Sequence, residues 1–148
     1  MNPELLGTAI GHVFAGPPRR LSMARALALS GGSFDTPGWP EKNLHTDLQA
    51  ANEAGLAAVI ASGTQFEGYL LGLLVELFDD HWLRGGELDV KITRSVKVGE
   101  TLKAYARLDA REPVGAGTRV VLAVWCENQD GDQVLIGTAA CALPPSAG

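Results

Sequence analysis

The chain has 148 residues, of which 46% are hydrophobic and 20% charged, with a net charge of −5. That balance suits one packed domain over residues 1–148 and excludes a disordered chain. The acid excess, with no run of Lys or Arg, excludes nucleic acid and anionic membrane surfaces as expected partners. The longest apolar run, residues 69–75, is too short to span a bilayer.

The start, MNPELLGTAIGH, lacks the charged head and long apolar middle of a signal peptide, so a cytoplasmic protein is expected. Residues 8–15 read as one strand, ended by Gly16-Pro17-Pro18. Residues 20–29 are rich in helix formers and stop at Ser30-Gly31-Gly32, which predicts a short helix. The next stretch, residues 31–44, carries three Gly and two Pro without periodicity and reads as a loop. Loops of this length in compact domains are usually functional or mobile.

Thr46-Asp47-Leu48-Gln49 has the form of a capping box, which predicts Thr46 as N-cap of a helix over residues 47–54. A second helix is expected to open at Gly63. Phe66, Leu70, Leu73, Leu74 and Leu77 follow the i, i+3, i+4, i+7 pattern, so these positions are expected in the core. Leu71 and Val75 widen the apolar face and predict a helix surrounded on most sides. Gly68 and Gly72 leave a bare strip on which another backbone can press, and Gly72 is expected to touch a strand. His81 to Arg84 are expected to end this helix.

After Trp82 the period changes to two. Residues 87–96, 101–111, 118–127 and 133–143 read as strands, joined by hairpin-like links at 97–100, 113–117 and 128–132. The predicted class is α+β: an antiparallel sheet of about five strands wrapped around a long central helix. Cys126 and Cys141 fit no metal-ligand spacing, so neither a metal site nor a disulfide framework is expected, and no cofactor is implied.

This order resembles the hot-dog fold, and within it the MaoC-like hydratases and dehydratases, over roughly residues 20–143. The resemblance rests on Ala28-Leu29-Ser30-Gly31, Asn43-Leu44-His45-Thr46-Asp47, Ile60-Ala61-Ser62-Gly63, and the segment Val96 to Leu102. It implies a lyase acting on an enoyl or 3-hydroxyacyl thioester of coenzyme A or an acyl carrier protein. It also implies a homodimer at least. The family pattern is Asp, any residue, Asn, Pro, an aliphatic residue, His. Aligned on His45, it places Pro40 at the Asp position, Lys42 at the Asn position and Asn43 at the Pro position. Only Leu44 and His45 match.

The expected catalytic residues are His45, Gly63 and one of two acids, Asp35 or Asp47. A histidine before a helix N-terminus is disfavoured as imidazolium, so it suits general-base work. The N–H of Gly63, with a helix dipole behind it, suits a thioester oxygen that gains charge. Asp35 in the long loop and Asp47 beside the histidine are the substitutes for the missing dyad acid. Phe34, Trp39, Asn43 and Ser62 are the expected substrate contacts. Glu67, expected in the first turn of the central helix, carries the alternative of a hot-dog thioesterase. The absent dyad acid carries a second alternative, a repurposed hot-dog protein that binds an acyl or polyketide-like ligand without turning it over. Each residue also has a purely structural reading. Asp47 gains from the helix dipole with no catalytic role, Ser62 serves as a cap, and Gly63 serves close packing.

Overall fold

A computed structural model describes residues 5–145 of the chain. Strands β4 (Thr101–Val114), β5 (Gly117–Glu127) and β6 (Gln133–Leu143) form the antiparallel meander that the period-two pattern predicts. Leu102, Ala104, Ala106 and Leu108 of β4 point into the core, as do Val120, Leu122, Val124 and Cys126 of β5. The intervening residues take the outer face, where Tyr105 and Trp125 stack at 5.3 Å.

The order of the sheet differs from four consecutive hairpins. Strand β3 (Gly86–Ile92) pairs with β6, not with β4, and the sheet runs β1-β4-β5-β6-β3, with β1 at Val13–Ala15. β3 stops at Ile92. Residues 93–100 then cross to β4, held by Ala61 N–H on the Val96 carbonyl (2.8 Å) and Val98 N–H on the Val59 carbonyl (3.0 Å). A period of two marks a strand but says nothing of its neighbours. Gly137 of β6 sits opposite Val90. A Cβ there would collide with the Asp89 carbonyl, so this glycine permits the β3–β6 pairing. A two-residue strand unforeseen from sequence, β2 (Arg19–Arg20), also pairs with β4.

Helix α1 (Met23–Ser30) starts later than predicted, because the Ser22 side chain caps it by accepting from Arg25 N–H. Helix α2 (Leu48–Glu53) is capped by Asp47, which accepts from Ala50 N–H at 2.9 Å. Asp47 therefore takes the N-cap position assigned to Thr46. Thr46 is buried instead, its hydroxyl donating to the Glu41 carbonyl at 2.6 Å and accepting from Asn43 N–H at 2.9 Å.

The central helix α3 (Gly63–Phe78) buries Phe66, Leu70, Leu73, Leu74, Leu77 and Phe78 against β4 and β5. It does not run on through His81. The backbone turns at Asp79 (φ +56°), and a separate helix, α4 (Asp80–Gly85), begins there, with Trp82 stacked on Phe78 at 5.8 Å. Nor is α3 covered all round. Gly68, Gly72, Val75 and Glu76 face outward, and a Cβ on either glycine would meet nothing within 4 Å. The expected contact of Gly72 with a strand is absent. The close backbone approach lies on the neighbouring face, where Gly16 packs beside Leu73 and Ala104.

Candidate active site

His45 lies in the short turn before α2, and local hydrogen bonds set its position. The Asn43 side chain accepts from His45 N–H (2.9 Å) through Oδ1 and donates to the Ser30 carbonyl (2.8 Å) through Nδ2. The Asn43 carbonyl accepts from Thr46 and Asp47 N–H, both at 3.0 Å. Asn43 and Thr46 thus tie the turn to the end of α1 and to the loop before it, a positioning task that the side chains perform without a ligand.

The half-buried imidazole of His45 places Nδ1 2.9 Å from the Ile60 carbonyl. A carbonyl only accepts, so Nδ1 carries the proton of the neutral ring and Nε2 keeps its lone pair. Ile60 forms an isolated bridge with Lys97, and its own N–H reaches the Leu44 carbonyl at 3.3 Å. The histidine turn and residues 59–61 therefore hold each other from both sides.

Three residues after Ile60, Gly63 opens α3. Extended chain covers at most about 10 Å over that distance, so the imidazole and the helix N-terminus lie in one neighbourhood. As first residue of the helix, Gly63 has an N–H with no intrahelical acceptor, and none is found among the described residues. A Cβ on Gly63 would overlap the Ile92 side chain, so the glycine also serves close packing. Ser62 occupies the N-cap position but makes no side-chain capping bond, and its hydroxyl pairs with that of Thr64 at 2.9 Å.

The two candidate acids are engaged elsewhere. Asp35 is exposed and accepts from the Ser33 hydroxyl, and Asp47 caps α2. Among the described residues no carboxylate pairs with the His45 ring. Phe34 is 68% exposed and lies against Trp39, ring centres 5.0 Å apart. The Trp39 Nε1 donor is buried without a partner, and the loop around it encloses a cavity of about 320 Å³. Glu67 is half-buried on the second turn of α3, not the first. Burial pushes the Cys126 thiol up to about 12 and the Cys141 thiol upward too, so neither is a thiolate nucleophile at neutral pH.

Sequence reasoning missed the Ile60 carbonyl, because nothing in a peptide pattern marks a main-chain acceptor fifteen residues away. It also missed a cavity of about 640 Å³, which is not at His45 but between α1 and the bare face of α3.

The same arrangement of strands and helices occurs in solved structures. A MaoC-like dehydratase from Rhodospirillum rubrum superposes with a TM-score of 0.76 at 21% identity, covering 97% of this chain and 98% of that one. The chain has the hot-dog fold. The (R)-hydratase PhaJ1 from Pseudomonas aeruginosa superposes at 0.72 and 20% identity, over 96% of this chain and 86% of that one. The 3R-hydroxyacyl-ACP dehydratase HadBC complex from Mycobacterium tuberculosis gives 0.68 and 14%, over 92% and 98%. No family model and no curated protein matches the sequence. At these identities the likeness carries the hot-dog fold and leaves the chemistry to the site. Among the described residues no helix is long and apolar enough to cross a membrane, and no three His, Cys, Asp or Glu side chains group as metal ligands would.

Proposed function

We propose that the chain is a hydratase or dehydratase acting on an enoyl or 3-hydroxyacyl thioester carried by coenzyme A or an acyl carrier protein. The observation that carries this reading is the His45–Ile60 bond. It leaves Nε2 as a proton acceptor and ties the ring to the segment that leads into Gly63. In hydration, Nε2 takes a proton from water as the water oxygen bonds to the β-carbon of the enoyl group. The electron pair of the double bond moves to the thioester oxygen, where the Gly63 N–H and the α3 dipole hold the charge. The enolate then collapses, and the α-carbon takes the proton back from the His45 imidazolium. Dehydration is the reverse. With Pro40 at the position of the family acid, and Asp35 and Asp47 bonded elsewhere, His45 serves both proton steps alone. Phe34 and Trp39 are apolar contacts for the substrate, and Asn43 orients the histidine. A homodimer completes the assembly, since the β3 edge is unpaired among the described residues.

The absent acid favours one competing reading, a protein that binds an acyl thioester without turning it over. A panel of 2-enoyl thioesters separates the readings. Loss of the conjugated double bond with the thioester intact supports the lyase. Release of free thiol, abolished by Glu67→Gln, would replace it with a thioesterase. Binding at micromolar concentration with no reaction would leave the non-catalytic reading.

A further inference from the structure

The groove of about 640 Å³ between α1 and α3 has no place in the reaction just described, yet it collects groups that ask for a ligand. Its floor is the bare backbone of Gly68 and Gly72, with Leu29 and Leu73 as apolar walls. Leu29 is 51% exposed, an apolar side chain left in water on the groove wall. Arg19 and Arg25 line the same groove.

The charges single this groove out. Arg84, Arg94, Arg107 and Arg119 are each paired with a carboxylate, and Arg111 donates to the Leu5 and Thr8 carbonyls. Among the described residues, Arg19 and Arg20 make no side-chain bond, and Arg25 touches only the Tyr69 hydroxyl at 3.4 Å. Among the described residues, two of the three guanidiniums without a carboxylate partner or a carbonyl, Arg19 and Arg25, thus line one groove of a net-acidic chain. The acid that lines it, Glu76, pairs with neither Arg19 nor Arg25. Gln65 adds a buried Oε1 without a partner.

The groove starts at Thr64, whose hydroxyl bonds Ser62 beside Gly63, and runs along α3 to Glu76, about 18 Å at 1.5 Å per residue. Arg25 meets α3 at Tyr69, about 9 Å along the axis from Gly63. We infer that this groove takes an acyl chain ending in a carboxylate, its methylenes over Gly68, Gly72 and Leu73 and its carboxylate on Arg25 and Arg19. This rests on the acyl-thioester reading and names the substrate class: the monothioester of a short dicarboxylic acid. A guanidinium donates two parallel N–H bonds to a carboxylate, which a methyl-ended chain cannot use. The short reach from Gly63 to Tyr69 favours the acyl end over the phosphate of the carrier arm as the anion.

Adipyl- and hexanoyl-coenzyme A have equal acyl length and lack the double bond and hydroxyl needed for turnover, so calorimetric titration reads binding alone. The wild-type chain is expected to bind the adipyl thioester at least tenfold tighter. Arg25→Gln is expected to reduce that preference to threefold or less, with Arg19→Gln acting in the same direction. His45→Ala is expected to keep the preference, which separates this site from the catalytic one. Equal binding of the two thioesters by the wild type overturns the inference, as does an unchanged preference in Arg25→Gln. An equal loss for both thioesters in Arg25→Gln would assign the arginine to the carrier phosphate and also overturn it. If neither thioester binds, the acyl-thioester reading fails as well. Free adipate then reads the groove directly, with Arg25→Gln losing whatever affinity the wild type has.

Discussion

At the scale of single residues, His45 is defined by its tautomer. A proton on Nδ1, held by the Ile60 carbonyl, is what makes Nε2 available. Nitrogen-15 NMR of the neutral ring should show Nδ1 protonated and Nε2 bare, and the opposite tautomer would contradict the geometry. A second residue-scale prediction concerns Cys126. Its folded pKa of about 12 lies above its ordinary value near 9, so the unfolded chain loses the proton first. The resulting stabilisation is complete below pH 9 and is lost as pH rises from 9 through 12. The urea midpoint should fall over that range, and less steeply in Cys126→Ala. Identical slopes would contradict the assignment. The histidine itself was legible from Leu44-His45 before a helix start. Its partner was not, because a main-chain carbonyl brought in by a bridge to Lys97 leaves no mark on the residues near His45. The cap was misread for a related reason. Thr46 and Asp47 are both good N-caps, and only the Glu41 carbonyl that takes the hydroxyl of the buried Thr46 decides between them.

At the scale of elements, α3 was the most legible, since a leucine pattern at helical spacing reports burial directly. Leu73 is 5% exposed, so Leu73→Ala should cost about 2–5 kcal/mol in chemical denaturation. Gly72 makes the contrasting case. A side chain there enters the open groove, so Gly72→Leu should leave the melting temperature near wild type. A loss as large as that of Leu73→Ala would show that something presses on this face. The strands were legible one by one, and their order was not. β3 and β4 share the alternating pattern that suggests a hairpin. Burial of Val96 in the crossing segment separates them, and alternation does not encode that burial. The break at Asp79 was hidden for the opposite reason, since the apolar spacing runs on through Trp82 into α4.

At the scale of the whole molecule, the sheet leaves its β3 edge open to a second chain. The β3 edge presents unpaired main-chain groups among the described residues. Light scattering at micromolar concentration should give the mass of two chains, and a monomer would count against the assembly. Both proton steps of the reaction turn on one residue, His45. The direct measurement is the rate of hydration of 2-enoyl thioesters, neutral and carboxylate-ended, by the wild-type chain and by His45→Ala. General-base help is worth roughly 10²–10⁴ in rate, so His45→Ala should lower kcat at least about a hundredfold with KM much less changed. Near-normal turnover by His45→Ala would contradict the account.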